Sequence, residues 1–335
     1  MKNLILAIES SCDDSSLAII NKDDLSCVFE KKISQELQHC RYGGVVPELA
    51  ARLHTAALPQ ILEQAKPFLN RLCAIAVTSE PGLSVSLIGG ISMAKTLALS
   101  LNLPLLAINH LAGHIYSLFL DEKASFDMGV LLVSGGHTMV LFIDKQGRVN
   151  ELAKTLDDSF GESFDKVAKM MGLGYPGGNA IEKLALKAIE KKLLFNIPLK
   201  HSKDLNYSFS GLKNAVRLEL LKHEKVDENT KSEIAFAFQN AAITHILDKL
   251  EKIFFLHRFK SFGVVGGASA NLSLRSRLEA LCKKYDCTLK LAPLSHCSDN
   301  ALMIARAACE KFKKQEFANI KMDILRTRSE NLGCI

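Results

Sequence analysis

The chain has 335 residues, 48% hydrophobic and 23% charged, which excludes a disordered or fibrous protein and leaves room for two domains with buried cores. Nine cysteines, an odd number without any C-x-x-C pair, exclude a disulfide framework and place the protein in a reducing cytoplasm. The net charge is +6, and five of those charges sit in the window 187–225, where nine Lys or Arg face four acids. Such a window is a solvated helix face or the footprint of a polyanion. Lys311, Lys313, Lys314, Lys321, Arg326 and Arg328 add a basic tail.

In chain order, the apolar run 4–8 reads as a strand closed by Glu9; it is too short for a signal peptide. Strands follow over 16–21 and 26–32, then a helix opened by Pro47 with a kink expected at Pro59. A buried strand over 74–78, a helix over 87–101 and a strand over 105–108 complete a β-β-β-α-β-α-β series. The apolar stretch 83–106 is broken by Gly89, Gly90, Lys95 and Pro104, so no membrane span is expected.

Asn109 follows the last of these strands and suits the cap of a helix bearing His110 and His114. Side chains four apart share a helix face, so both imidazoles can reach one metal ion where open α/β sheets bind ligands. A third ligand has to come from elsewhere in the chain. The stretch Ser295-His296-Cys297-Ser298-Asp299-Asn300 offers His296 and Asp299, although Ser298 or Asp299 could simply cap the last helix.

After a polar link at 121–127 the series restarts with strands over 129–134, 139–144 and 149–155. Helices are expected over 161–171, 180–191, 212–221 and 233–255, then a strand over 262–265, a helix over 272–284, a strand over 288–291 and a helix from Asn300. The expected fold is therefore α/β and duplicated, each half ribonuclease-H-like as in the actin, sugar-kinase and Hsp70 superfamily. The lobes are placed at 1–126 and 127–335, with a helical insertion at about 157–257 in the second. Three small-residue turns suit a nucleotide: Glu9 to Ser16 and Val133-Ser134-Gly135-Gly136-His137-Thr138 its phosphates, and Val265-Gly266-Gly267-Ala268-Ser269-Ala270-Asn271 its sugar or base.

Several motifs, in this order, resemble the TsaD (formerly Gcp) family. They are Glu9-Ser10-Ser11-Cys12-Asp13-Asp14, Tyr42-Gly43-Gly44-Val45-Val46-Pro47-Glu48, His110 with His114, Val133-Ser134-Gly135-Gly136-His137-Thr138, Phe164-Asp165-Lys166, Tyr175-Pro176-Gly177-Gly178, Phe209-Ser210-Gly211-Leu212-Lys213, Gly266 to Asn271, and Cys297-Ser298-Asp299-Asn300. The resemblance implies a metal-dependent transferase that moves threonylcarbamoyl from threonylcarbamoyl-AMP to N6 of adenosine 37 in tRNAs reading codons that begin with A. It implies metal ligands His110, His114 and Asp299; with the lobes placed as above, Asp299 is expected from the opposite lobe. The metal is one divalent ion, Fe(2+) favoured and Zn(2+) possible, since a His₂-carboxylate set with open positions suits either. Substrate contacts map onto Leu132, Val133, Ser134, Gly135, Gly136, Asp165, Gly178 and Asn271, and the adenine nucleotide is ATP or threonylcarbamoyl-AMP. Implied partners are tRNA, a separate synthase for the adenylate, a TsaB-like paralogue and a TsaE-like ATPase, with no membrane.

Asp13 is the candidate catalytic acid beside the reacting amine, with binding of water or phosphate at the hairpin as its rival role. The window 187–225 becomes a candidate tRNA surface. A metallopeptidase is disfavoured because Leu111 stands where H-E-x-x-H needs its glutamate. A small-molecule kinase of the same superfamily, or a non-catalytic scaffold, would not need the histidine pair.

Overall fold

A computed structural model describes residues 2–322 and 332–335, so Arg326 and Arg328 of the basic tail lie outside the described residues. The chain divides into two compact units, one made of Met1–Ser125 with Pro293–Ile335 and the other of Phe126–Ala292.

In the first unit, β1 (Leu4–Glu9) is buried along its whole length and pairs antiparallel with β2 (Asp14–Asn21), which pairs with β3 (Cys27–Ser34). A short helix, α1 (Glu36–Cys40), leads to α2 (Pro47–Ala65), which starts at its proline and carries Pro59 inside it. Then come β4 (Leu72–Glu80), α3 (Ser84–Leu101) and β5 (Leu105–Asn109), both strands parallel, giving the sheet order β3-β2-β1-β4-β5. The apolar sides of α2 and α3 cover β2, β1 and β4, with Leu58, Ile61, Leu87, Ile91 and Ala94 in one core with Leu6, Ile8, Leu17, Ile19, Ile75 and Val77. Among the described residues α3 alone is long and apolar enough to cross a membrane by length and composition; it packs on β4 and α2. From β5 the chain enters α4 (His110–Tyr116).

In the second unit β6 (Met128–Val133), β7 (Thr138–Ile143) and β8 (Val149–Lys154) form the same antiparallel meander. Helices α5 (Phe160–Met170), α6 (Gly177–Ala185), α7 (Ser210–Leu220) and α8 (Glu228–His257) intervene before β9 (Ser261–Val265), α9 (Leu272–Lys284) and β10 (Thr288–Leu291). The sheet order β10-β9-β6-β7-β8 repeats the first, strand for strand. The expected duplication and helical insertion are therefore present. A core of Phe160, Phe164, Phe209, Phe238, Ile246 and Phe254 shows that the inserted helices share the hydrophobic interior of this unit.

Two boundaries differ from expectation. The second unit ends at Ala292, not at the end of the chain, because α10 (Ala301–Lys313) returns to the first unit, where it packs on β1, β2 and α4. Its residues Ala301 to Cys309 are all buried, so it is covered on every side. The helix expected over 180–191 stops at Ala185. The Glu233 carboxylate accepts the amides of Ile189, Glu190 and Lys191 at 2.8–2.9 Å, and Lys191 takes φ +52°, so the chain turns off instead of continuing the helix.

Candidate metal centre and glycine turns

Helix α4 begins as its sequence demands, with the Asn109 side chain accepting the amides of Leu111 and Ala112 at 2.9 and 3.3 Å. This fixes the first turn, and the two imidazoles emerge together, ring centroids 4.7 Å apart and nearly perpendicular. Gly113, between them, faces α10: a Cβ there would lie 2.7 Å from Ile304 Cδ1. Asn300 caps α10 by accepting the Met303 amide at 2.9 Å, and Asp299 sits just before that cap. Asp299 Oδ1 lies 3.4 Å from His110 Nε2 and 3.2 Å from His114 Nε2. Among the described residues these three are the group able to hold a metal ion, their ligand atoms all within 4.8 Å of one another. All three belong to the first unit, which corrects the expectation that Asp299 comes from the opposite lobe: chain order put it there, and the packing of α10 brings it back.

Glu9 joins this cluster, a participant that the sequence reading placed only at the head of a phosphate turn. Fully buried at the end of β1, it accepts the Ser11 amide at 2.6 Å, the Thr78 hydroxyl, and His110 Nδ1–H at 3.1 Å. The only signal was a carboxylate ending an otherwise apolar strand. A ring that donates from Nδ1 presents a bare Nε2, the state a metal ligand needs. Burial opposes ionisation of Glu9 and Asp299, but the neighbouring His110 outweighs it and holds both carboxyls below their ordinary values. Burial likewise opposes protonation of His110, and Asp299 and Glu9 together raise it well above the ordinary histidine range; burial lowers His114.

The residues fit a divalent cation. His114 Nε2 is buried and faces only the Asp299 carboxylate, an arrangement that an ion bound between them suits. With both imidazoles neutral, Glu9 and Asp299 place two negative charges in a buried site, which a divalent cation balances.

His296, the other candidate ligand, points elsewhere, with its Nε2 3.2 Å from Glu30. Asp13 lies in the turn between β1 and β2, its carbonyl accepting the Gln35 amide at 3.1 Å.

Of the expected substrate residues, Leu132 and Val133 end β6, Ser134 to Gly136 follow it, Asn271 lies beyond β9, and Asp165 and Gly178 lie on α5 and α6. Leu132 and Val133 have side chains wholly within the core, so only their main chain can face a ligand. The turn Ser134-Gly135-Gly136 opens outward, since a Cβ built on either glycine meets nothing within 4 Å. Ser134 Oγ accepts the amides of Gly136 and His137 at 3.3 and 3.0 Å, and the Ser159 hydroxyl braces the turn from behind, 2.8 Å from the Gly135 carbonyl. Gly266, at φ +93°, passes so close to Val133 that a Cβ would lie 2.3 Å from its carbonyl oxygen. Asp165 on α5 accepts the Gly177 amide at 2.7 Å and thereby fixes the start of α6, where Gly178 lies. Asn271 accepts the Leu274 amide at 2.8 Å as the cap of α9 and donates to Gln239 at 2.9 Å.

Within the basic window several charges are already paired, Lys213 with Asp158 at 2.6 Å and Lys222 with Glu219 at 2.7 Å, while Lys200, Lys203 and Lys225 are exposed.

Two sheets of one strand order, each opening with an antiparallel meander, define the duplicated ribonuclease-H-like class of the actin, sugar-kinase and Hsp70 superfamily. Solved structures agree on the fold: full-length HypF in its phosphate- and nucleotide-bound form matches 93% of this chain and 56% of its own at TM-score 0.61 and 14% identity. The activator of 2-hydroxyisocaproyl-CoA dehydratase from Clostridium difficile, with bound ADPNP, matches 96% of this chain and 100% of its own at TM-score 0.53 and 16% identity. The sequence profile of TsaD, tRNA N6-adenosine threonylcarbamoyltransferase, matches residues 26–306. Relatives with that name include one from Campylobacter jejuni subsp. doylei, 70% identical with both chains fully covered, and one from Campylobacter concisus, 62% identical over 94% of this chain and 95% of its own. The chain belongs to the TsaD family and is a tRNA-modifying acyltransferase.

Proposed function

We propose that this enzyme takes threonylcarbamoyl from threonylcarbamoyl-AMP, places it on N6 of adenosine 37 in tRNAs reading codons that begin with A, and depends on one divalent metal, Fe(2+) in preference to Zn(2+). The observation that carries the metal is the convergence of His110, His114 and Asp299, their ligand atoms all within 4.8 Å of one another in a buried site. These three residues would hold the ion, which as a Lewis acid would polarise a carbonyl or phosphoryl oxygen of the donor. Glu9 keeps the proton of His110 on Nδ1.

The donor is a mixed carbamoyl-phosphate anhydride and is already activated, so the protein's task is to hold, orient and deprotonate. The Val133–Gly136 main chain, Asp165, Gly178 and Asn271 are assigned to the adenylate. That assignment is supported by the outward-facing glycine turn and by the nucleotides named in the two structural neighbours. In the transfer, N6 attacks the carbamoyl carbon, a C–N bond forms, the C–O bond to phosphate breaks, and AMP leaves with the electron pair. The proton lost by N6 goes to Asp13, a carboxylate in the turn that follows Glu9. The exposed lysines of 187–225 serve tRNA phosphates, and the reaction takes place in the cytoplasm.

The test is reconstitution from purified protein, unmodified tRNA, ATP, threonine, bicarbonate, the adenylate-making synthase, and the TsaB-like and TsaE-like accessory proteins. The modified adenosine is then measured by mass spectrometry of nucleosides. The wild type is expected to form it and the double variant His110→Ala/His114→Ala is not. Full activity in the double variant would remove the metal from the mechanism.

A further inference from the structure

Behind the turn that carries Asp13 lies a buried polar chain with no place in the metal centre or the glycine turns. His39, His54, Gln35 and Ser15 are all at most 1% exposed, in a region where most neighbours are apolar. With both imidazoles neutral, the hydrogen bonds run in one direction. The Val46 amide donates to His39 Nδ1 at 3.2 Å, so His39 carries its proton on Nε2 and donates to Gln35 Oε1 at 3.1 Å. Gln35 Nε2 then lies 3.2 Å from His54 Nδ1 and 3.4 Å from Ser15 Oγ. The Ser15 hydroxyl donates to His54 Nδ1 at 2.7 Å, and His54 Nε2–H donates to the Cys12 carbonyl at 2.9 Å. Burial lowers the proton affinity of both imidazoles, in keeping with these neutral tautomers.

The chain has two ends. One is Val46, in the Tyr42-Gly43-Gly44-Val45-Val46-Pro47 loop that opens α2. The other is the Cys12–Asp13 turn, which is gripped further by Ser86 Oγ on the Cys12 carbonyl at 3.0 Å and by the Gln35 amide on the Asp13 carbonyl at 3.1 Å. We propose that His54, oriented by Ser15 and Gln35 and linked through His39 to the 42–47 loop, is a positioning residue that sets the Cys12–Asp13 turn for proton transfer. This rests on the role given to Asp13 above. Four buried polar side chains joined in one ordered direction cost more than an apolar filling of the same volume, and what they secure is one geometry at the carbonyl preceding Asp13.

The experiment measures kcat and KM for tRNA in the reconstituted reaction with His54→Leu, His54→Gln, Asp13→Asn and the double variant Asp13→Asn/His54→Leu. Glutamine places an N–H where His54 Nε2 stands; leucine does not. His54→Leu is expected to lower kcat between about tenfold and a hundredfold, the size of effect an ångström of misplacement has on catalysis, with KM for tRNA unchanged. His54→Gln should restore most of that loss. In the double variant the leucine should add nothing to the loss from Asp13→Asn, because both act through one group.

A wild-type kcat in His54→Leu, or equal loss in the leucine and glutamine variants, would overturn the proposal. So would losses that multiply in the double variant. Full activity of Asp13→Asn would overturn the assignment of Asp13 alone, and a glutamine-rescued loss at His54 would then still support the bracing of the turn. Should His54→Leu fail to fold by circular dichroism, Ser15→Ala takes its place. That variant leaves the ring but not its orientation, and is expected to lower kcat severalfold at unchanged KM; an unchanged kcat would overturn the proposal.

Discussion

Replacing Glu9 by glutamine alters a single heavy atom of a buried carboxylate and is expected to weaken metal binding by 10- to 100-fold, about 1.4 to 2.7 kcal/mol. The wild-type carboxylate accepts three hydrogen bonds, from the Ser11 amide, the Thr78 hydroxyl and His110 Nδ1. Glutamine keeps one acceptor oxygen and exchanges the other for an NH₂ donor. If its oxygen stays with the Ser11 amide, the new donor faces His110 Nδ1, and the ring must move its proton to Nε2, where the metal should be. If the side chain flips, the donor faces the Ser11 amide. The first arrangement puts the ring's N–H where the metal must bind, and the second leaves the buried Ser11 amide unpaired at a cost of about 1–3 kcal/mol, a size in keeping with the expected loss of affinity. Competition against a chromogenic chelator, run anaerobically with Fe(2+) and separately with Zn(2+), reads the affinity directly, and a thermal melt of the metal-free protein checks that the fold survives. Wild-type affinity for both metals in a folded Glu9→Gln variant would refute the reasoning.

Two further expectations concern the second unit. Gly266→Ala places a Cβ against the Val133 carbonyl at a positive φ, so it should destabilise the protein by about 2 kcal/mol or more, read as a lower urea midpoint at unchanged slope. His245 is wholly buried, accepts the Ser208 amide through Nε2 at 3.1 Å and is held down to about 4 by burial. Its folded value lies below the ordinary 6.5, so the stability it confers is complete above pH 6.5 and is lost as pH falls from there toward 4. The loss approaches roughly 3 kcal/mol. His245→Gln keeps an acceptor for Ser208 and should flatten the pH dependence of the melting temperature across that interval; an unchanged profile would count against it.

The parts of the site that were legible in the sequence are those set by local spacing. An asparagine before two histidines four apart carries both its cap and its face within seven residues, and α4 forms as those residues require. Asp299 was named as a ligand, yet assigned to the wrong unit. Nothing in the order of strands tells which sheet a final helix covers, and that is decided by nine successive buried side chains finding β1, β2 and α4. Glu9 stood in plain view at a strand end, but its partners Thr78 and His110 lie 69 and 101 residues away. The early end of α6 depends on Glu233, more than forty residues downstream, which periodicity within the helix does not register. Asp165 and Gly178 were located through family resemblance alone, because their placement comes from the packing of α5 on α6.

The excursion of the chain from Ser125 to Pro293 has a consequence for biosynthesis. As the polypeptide leaves the ribosome, His110 and His114 emerge long before Asp299, and the whole intervening unit must be made before the carboxylate can reach them. A nascent chain halted short of α10 exposes one flank of β1 and has two imidazoles with no third donor. If these three side chains hold a metal ion as proposed, the site would be complete only when translation is almost finished, and a polypeptide ending near residue 290 would be a poor metal scavenger even if its first sheet had formed.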